Sequence, residues 1–344
     1  LRVNWQADWL AQALQRQASD IHLTPGEPIY YRREGRLENS GDILSEAVWD
    51  AWCAHFLTAD EQTSLRSERH LDIVCRENRP LRFSFFFAGG KLCAGVRILY
   101  GLDDLPADPD PALLADAAAL NEGLVLIGGA TGSGKTTALL HVLAQMNERF
   151  SRHVITLEDP PELYLPAGRC LIRQRAVGTD VADFTSGVWE ALRADPDVLV
   201  IGELRHPETI HAALTAAETG HLVLATVHSA TLPAMIGRMV HAFPAAAQTQ
   251  VRYQIAATLR LAVAQRLLPV GARRVLLRSY AWWTPALSRL VRDGKEAQLN
   301  GYLQTGGVQA QTFAQALQRA RQMLSADEKD DLEEQWRQCS DTTI

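Results

Sequence analysis

Leu124-Val125-Leu126-Ile127-Gly128-Gly129-Ala130-Thr131-Gly132-Ser133-Gly134-Lys135-Thr136-Thr137 decides the fold. An apolar run reads as a strand. Gly129 to Thr136 then fits G-x-x-x-x-G-K-[ST], and Leu139, Leu140 and Leu143 follow at helical spacing. Glycines let the backbone curl until its N–H groups face a phosphate, and a helix N-terminus adds a dipole that favours anions. Gly129, Ala130, Thr131, Gly132, Ser133, Gly134, Lys135, Thr136 and Thr137 are therefore candidate nucleotide-binding residues. Lys135 reaches the β- and γ-phosphates, and the Thr136 hydroxyl ligates Mg²⁺. ATP and Mg²⁺ are the expected ligand and cofactor.

Outward from this loop, further β-rich runs alternate with helical patterns. Val154–Leu157, Val198–Gly202 and Leu222–Val227 join Leu124–Gly128 in the arrangement of a parallel sheet covered by helices, so the fold class is α/β. Acids follow two of these runs. Glu158, in Leu157-Glu158-Asp159-Pro160, reads as the general base or water-orienting group. Glu203, after Ile201-Gly202, reads as the Walker B carboxylate on or near Mg²⁺. Strand Leu222–Val227 is flanked by His221 and His228. His228, at its end, is placed to sense the γ-phosphate. His221 precedes the strand and is expected at the opposite edge of the sheet.

Residues 103–111, DDLPADPDP, form a stiff, solvated linker by composition. The reading therefore places one domain over 1–102 and another over 112–344. The first mixes helices with an antiparallel sheet. Trp5, Trp9, Leu10, Ala13 and Leu14 have helical spacing, and Val48, Trp49, Trp52 and Phe56 share a helix face after Ser45. Thr58-x-x-Glu61 is a capping box, and Asn78-Arg79-Pro80 and Gly89-Gly90 turn two hairpins. The chain ends in helices from Phe313 to Trp336 with an acidic, solvated tail.

Of the net charge of −6, residues 327–344 carry −5, so the body is nearly neutral and gives no electrostatic reason to expect nucleic acid as a partner. The five cysteines are odd in number and lack C-x-x-C, so neither a disulfide framework nor a zinc site is expected, and a reducing cytoplasmic compartment fits. No apolar run reaches the ~18 residues of a membrane span. The start, LRVNWQADWL, is not a signal peptide, so membrane association is expected only through a partner.

As a set, these motifs resemble the secretion ATPase superfamily of type II secretion, type IV pili and conjugation, nearest the pilus retraction ATPases of the PilT type. The likeness runs from Ala18-Ser19-Asp20-Ile21-His22-Leu23 through the phosphate loop to Glu158-Asp159-Pro160. It continues through Leu192-Arg193-Ala194-Asp195-Pro196-Asp197 and Gly202-Glu203-Leu204-Arg205, then Ala216 to His228, and Gln265-Arg266-Leu267-Leu268-Pro269. The resemblance implies a PAS-like N-terminal domain, a RecA-like ATPase domain and a homo-hexameric ring. Arg82, Arg97 and His221 would then join the nucleotide site. An inner-membrane pilus platform protein is the implied partner, with a second pilus ATPase as an optional one. The implied activity is Mg²⁺-dependent ATP hydrolysis that powers pilus retraction. An assembly or secretion ATPase and a weakly hydrolysing accessory ring subunit are the alternatives. Ser84, Ala176 and His206 depart from the family pattern. Ala286 to Lys295 matches the retraction signature in part, with Ser288 and Arg289 replacing its Arg and Asn.

Overall fold

The computed structural model describes residues 8–33, 36–75, 81–98, 105–161, 165–271, 273–304 and 309–341. Two units emerge, Leu1–Leu105 with Glu162–Leu165, and Pro106–Pro161 with Pro166–Ile344.

The first unit runs α1 (Asp8–Gln15), β1 (Asp20–Leu23), β2 (Pro28–Arg33), β3 (Arg36–Ile43), α2 (Glu46–Phe56), α3 (Ala59–Glu68), β4 (His70–Cys75), β5 (Leu81–Ala88) and β6 (Lys91–Ile98). Its antiparallel sheet has the order β3-β2-β1-β6-β5-β4. Alternation along β5 buries Leu81, Phe83 and Phe85 on one face. Trp49, Trp52 and Phe56 of α2 stack onto that face, with Trp52 and Phe56 centroids 4.4 Å apart and Phe56 and Phe83 4.7 Å apart. Val48 does not share this face. It is 61% exposed, because Trp49, Cys53 and Phe56 take the helical stripe and Val48 sits one position off it. Thr58 and Glu61 form the reciprocal capping box. Gly89 and Gly90, with φ of 56° and 81°, make the two-residue turn between β5 and β6. Trp5 and Asn78-Arg79-Pro80 lie outside the described residues.

The second unit runs α4 (Pro111–Ala119), β7 (Gly123–Gly128), α5 (Lys135–Arg149), β8 (His153–Glu158), β9 (Leu171–Ala176), α6 (Phe184–Ala191), β10 (Val198–Ile201), α7 (Pro207–Glu218) and β11 (Leu222–Val227). It continues with α8 (Leu232–His241), α9 (Ala245–Thr258), β12 (Leu259–Val270), β13 (Arg273–Trp282), α10 (Pro285–Arg292), α11 (Leu299–Gln304), β14 (Ala310–Gln311), α12 (Phe313–Arg321) and α13 (Ala326–Asp341). Its sheet has the order β14-β13-β12-β7-β11-β10-β8-β9. The strands from β12 to β9 are parallel, as a sheet buried on both faces by helices requires, while β13 and β14 pair antiparallel. β7, β10 and β11 are buried along their whole length.

Two expectations about charged segments are corrected. Asp108 and Asp110 are not solvated. They are buried against Arg278, and Asp110 also takes Arg319. The acidic end is a docked helix, not a solvated tail. Leu332 of α13 is fully buried and Trp336 lies 5.6 Å from Phe313. Its acids find local partners, Glu328 on Arg273, Glu333 on Arg321, and Asp331 accepting from the Gly271 N–H. Helices α12 and α13 thus cover the outer part of the β12–β13 hairpin. Among the described residues, none of the five cysteines forms a disulfide, and no helix is long and apolar enough to cross a membrane.

Candidate nucleotide site

β7 delivers the chain to the phosphate loop, and the loop delivers it to α5. Gly134 stands in the left-handed region (φ 85°) immediately before the helix, and Gly132 likewise (φ 75°). Gly129 is required by space, since a Cβ there would lie 2.2 Å from Ser133 Oγ and 2.7 Å from the Gln265 carbonyl oxygen. Beside Gly132 the space is open within 4 Å, which leaves this side of the loop accessible to a ligand. The Lys135 ammonium donates to the carbonyls of Gly129 and Ala130, both at 2.9 Å, so it arches over the loop that a triphosphate would occupy. Thr136 and Thr137 follow in the first turn of α5, both half-buried.

The carboxylates sit where the strand order puts them. β11 lies between β7 and β10, and β8 is one strand further. At roughly 4.8 Å per strand, Glu203 stands about 10 Å laterally from the loop strand and Glu158 about 14 Å. Gly202 brings these two strand ends together. Its N–H donates to the Leu157 carbonyl at 2.8 Å, and a Cβ there would sit 3.1 Å from that oxygen. Thr226 Oγ1 donates to the Gly202 carbonyl, which ties the end of β10 to β11. Glu158 is held from two sides, accepting from Thr156 Oγ1 at 2.5 Å and from Gln174 Nε2 at 3.0 Å. Both partners restrict the carboxylate's rotation while it remains only half-buried.

His228 ends β11 and touches the loop directly. The Thr131 N–H donates to its Nε2 at 2.9 Å. An amide N–H can only donate, so Nε2 is the acceptor and the neutral ring carries its proton on Nδ1. His221 stands at the other end of the strand. Leu222 pairs with Gly123 and Val227 with Gly128, so the two histidines, seven residues apart along an extended strand, are separated by about 23 Å. His221 Nδ1 lies 3.0 Å from the Ala216 carbonyl at that end. The structure therefore joins the phosphate loop with His228 and places His221 at the far edge of the sheet.

Arg82 and Arg97 are directly opposite each other on β5 and β6. Arg97 also pairs across to β1, where its Nε donates to Asp20 at 2.8 Å. This explains the Asp20 of the N-terminal motif. Burial alone would raise its pKa, but the hydrogen bonds from Arg97 and Ser19 outweigh that and hold it below the ordinary carboxylate value. Ser84, where the family pattern carries arginine, faces Asp72 and Gly95 across the neighbouring strands.

Gln265 stands out in the sequence only within the family motif Gln265 to Pro269, with no part at the loop, and Arg278 does not stand out at all. Gln265 Nε2 donates to the Ser133 carbonyl at 2.7 Å, and Gln265 is fully buried. The available signal was a Gln directly after the apolar run Leu261–Ala264, a polar residue inside a mostly buried strand.

Residues 100–330 match the family described as type II/IV secretion system protein. The uncharacterized protein YggR of Escherichia coli K12 is 38% identical over 321 residues, covering 90% of this chain and 96% of that one. The type IV pilus retractation ATPase PilT of Pseudomonas aeruginosa is 42% identical over 186 residues, 54% of each chain. Among solved structures, the pilus retraction motor PilT with bound ADP superposes with a TM-score of 0.83 at 30% identity. That likeness covers 94% of this chain and 96% of that one.

Proposed function

We propose, for a chain that belongs to the type II/IV secretion system protein family, that it works as a homo-hexameric ring whose ATP hydrolysis drives type IV pilus retraction. The chain is an ATPase of the RecA-like, P-loop kind. The observation that carries the retraction reading is the likeness to the ADP-bound retraction motor, which extends over 94% of this chain.

Each residue has a chemical part in this reading. The loop N–H groups and the dipole of α5 hold the phosphates. Lys135 exchanges its loop carbonyls for β- and γ-phosphate oxygens. Thr136 and Glu203 would hold Mg²⁺, one hydroxyl and one carboxylate being a donor set that suits a cation otherwise bound by phosphate and water. That ion supplies charge neutralisation at the phosphates. Glu158, steadied by Thr156 and Gln174, orients the attacking water and takes its proton. His228 reports on the γ-phosphate through the Thr131 amide. Arg82 and Arg97 are the further cations this reading assigns to the triphosphate. A pilus platform protein in the inner membrane is the partner on which the ring acts.

Pilus assembly or secretion is the second reading, favoured by the departures in the retraction signature. Ser288 spends its hydroxyl on the Ala256 carbonyl at 2.7 Å, tying α10 to α9, and Arg289 is 79% exposed. Surface pilus counts in a deletion strain separate the two. Retraction predicts an excess of pili that wild type corrects and Glu158→Gln does not. Bald cells would overturn retraction in favour of assembly.

A further inference from the structure

Beneath the phosphate loop lies a run of buried polar groups that hydrolysis as described does not use. Gln265 of β12 donates to the Ser133 carbonyl and accepts, at Oε1, from Nε of Arg278 at 3.3 Å. Arg278 is the residue directly opposite on β13 and is 1% exposed. Its two terminal nitrogens fork onto the carboxylate of Asp108, the outer one at 2.7 Å. Asp110 lies 3.5 Å from the same guanidinium and takes Arg319 on its other oxygen. The Asp110 N–H donates back to Asp108 at 2.8 Å, so one carboxylate both binds the arginine and shapes the turn. His141 of α5 meets the Pro106 carbonyl at 3.1 Å.

Fold stability alone is a poor reason for such a cluster, because apolar side chains of similar volume commonly serve a core as well. Its two ends are more telling. One end is a peptide of the phosphate loop. The Ser133 carbonyl and the Gly134 N–H belong to a single trans peptide plane, so they point in opposite directions. Holding that carbonyl down against β12 aims the Gly134 N–H away from β12, to the side where a phosphate sits. Glycine supplies no side chain to set this orientation, and Gln265 does so from below. The other end is residues 106–110, where the chain first enters this unit.

We propose that Gln265 and Arg278 are positioning residues for nucleotide binding, and that the relay Asp108–Arg278–Gln265–Ser133 makes the aim of the Gly134 N–H depend on the seating of residues 106–110. The relay rests on the nucleotide reading above. By reciprocity, a nucleotide on the loop steadies the 106–110 segment.

The test uses the full chain with Mg²⁺-ADP and Mg²⁺-ATP. Gln265→Met and Asp108→Asn each weaken ADP binding and raise the ATP KM about tenfold, the scale of one lost hydrogen bond, with kcat within about twofold. The double variant loses about tenfold as well, not a hundredfold, since a relay breaks only once. Arg278→Lys keeps the charge, loses the fork, and falls between. Hydrogen exchange over 106–113 slows on adding Mg²⁺-ADP in wild type and not in Gln265→Met. Multiplicative losses in the double variant, or folded variants that bind as wild type does, overturn the relay while the nucleotide reading stands. A wild type that binds no nucleotide overturns both.

Discussion

Replacing Gly129 with alanine tests the geometry of the loop from a single methyl group. The new Cβ would stand 2.2 Å from Ser133 Oγ and 2.7 Å from the Gln265 carbonyl oxygen. The first contact is the softer one, because the Ser133 hydroxyl has no hydrogen-bond partner among the described residues and can rotate away. The second is backbone of β12, which is paired to β7 on one side and β13 on the other, so the strand cannot yield. The loop must therefore rise by about half an ångström to restore ordinary contact. Overpacking of this kind costs about 1–3 kcal/mol. In a domain of this size that lowers the melting temperature by roughly 2–4 °C for each kcal/mol. Lifting the loop also stretches the 2.7 Å bond from Gln265 to Ser133 and turns the Gly134 N–H, so ADP affinity falls at least about tenfold. Isothermal titration with Mg²⁺-ADP and a thermal melt measure both. Adding Ser133→Ala to the variant relieves the soft contact and recovers little. Full recovery by that second change, or unaltered affinity in Gly129→Ala, would refute the assignment of the β12 carbonyl as the obstacle.

Thr156→Val or Gln174→Leu removes one of the two groups that steady Glu158; kcat falls about tenfold while ADP affinity, measured by titration, is unchanged. Leu332→Ala empties a fully buried position between α13 and the β12–β13 hairpin and costs about 2–4 kcal/mol, visible as faster hydrogen exchange over 264–277. Burial, with the charge of Arg32, holds His22 below its ordinary pKa of 6.5, so the unfolded chain binds a proton that the folded one refuses. That stability is complete above pH 6.5 and lost as pH falls, and His22→Gln flattens the melting-temperature profile between pH 7 and 5. Asp20 contributes in the same direction further down, below the ordinary carboxylate value of 3.8, and Asp20→Asn removes that acid limb of the profile.

What could be read from sequence was local and periodic. The phosphate loop, the Thr58 capping box and the Gly89-Gly90 turn are spelled by residues adjacent in the chain, and the four apolar runs of the second unit are long enough to stand out. What escaped were pairings between distant segments. The stretch 103–111 looks like a solvated linker because its prolines and aspartates are polar and stiff. Nothing near it announces that Arg278, 170 positions on, is buried against Asp108. The acidic end misled for a related reason. Charge dominates its composition, yet Leu332 and Trp336, four apart, form one apolar stripe that finds the hairpin. Val48 shows the limit of grouping by hydrophobicity, since one position around a helix separates the core from solvent. At the site itself, the alternation of strands and helices gave the parallel sheet and put Glu158 and Glu203 at its carboxyl edge, while the order of the strands came only with the structure. The support beneath the loop depended on β12 and β13, whose hairpin the sequence did not reveal.

The most direct measurement is ATP hydrolysis with and without Mg²⁺ by the full chain, beside Glu158→Gln and Glu203→Gln, with nucleotide binding followed in the same samples. Mg²⁺-dependent turnover by wild type, with both variants retaining ATP and turning over at least about a hundredfold more slowly, is the expected result. Wild-type turnover by Glu158→Gln and Glu203→Gln would contradict the assignment of catalysis to these strand ends.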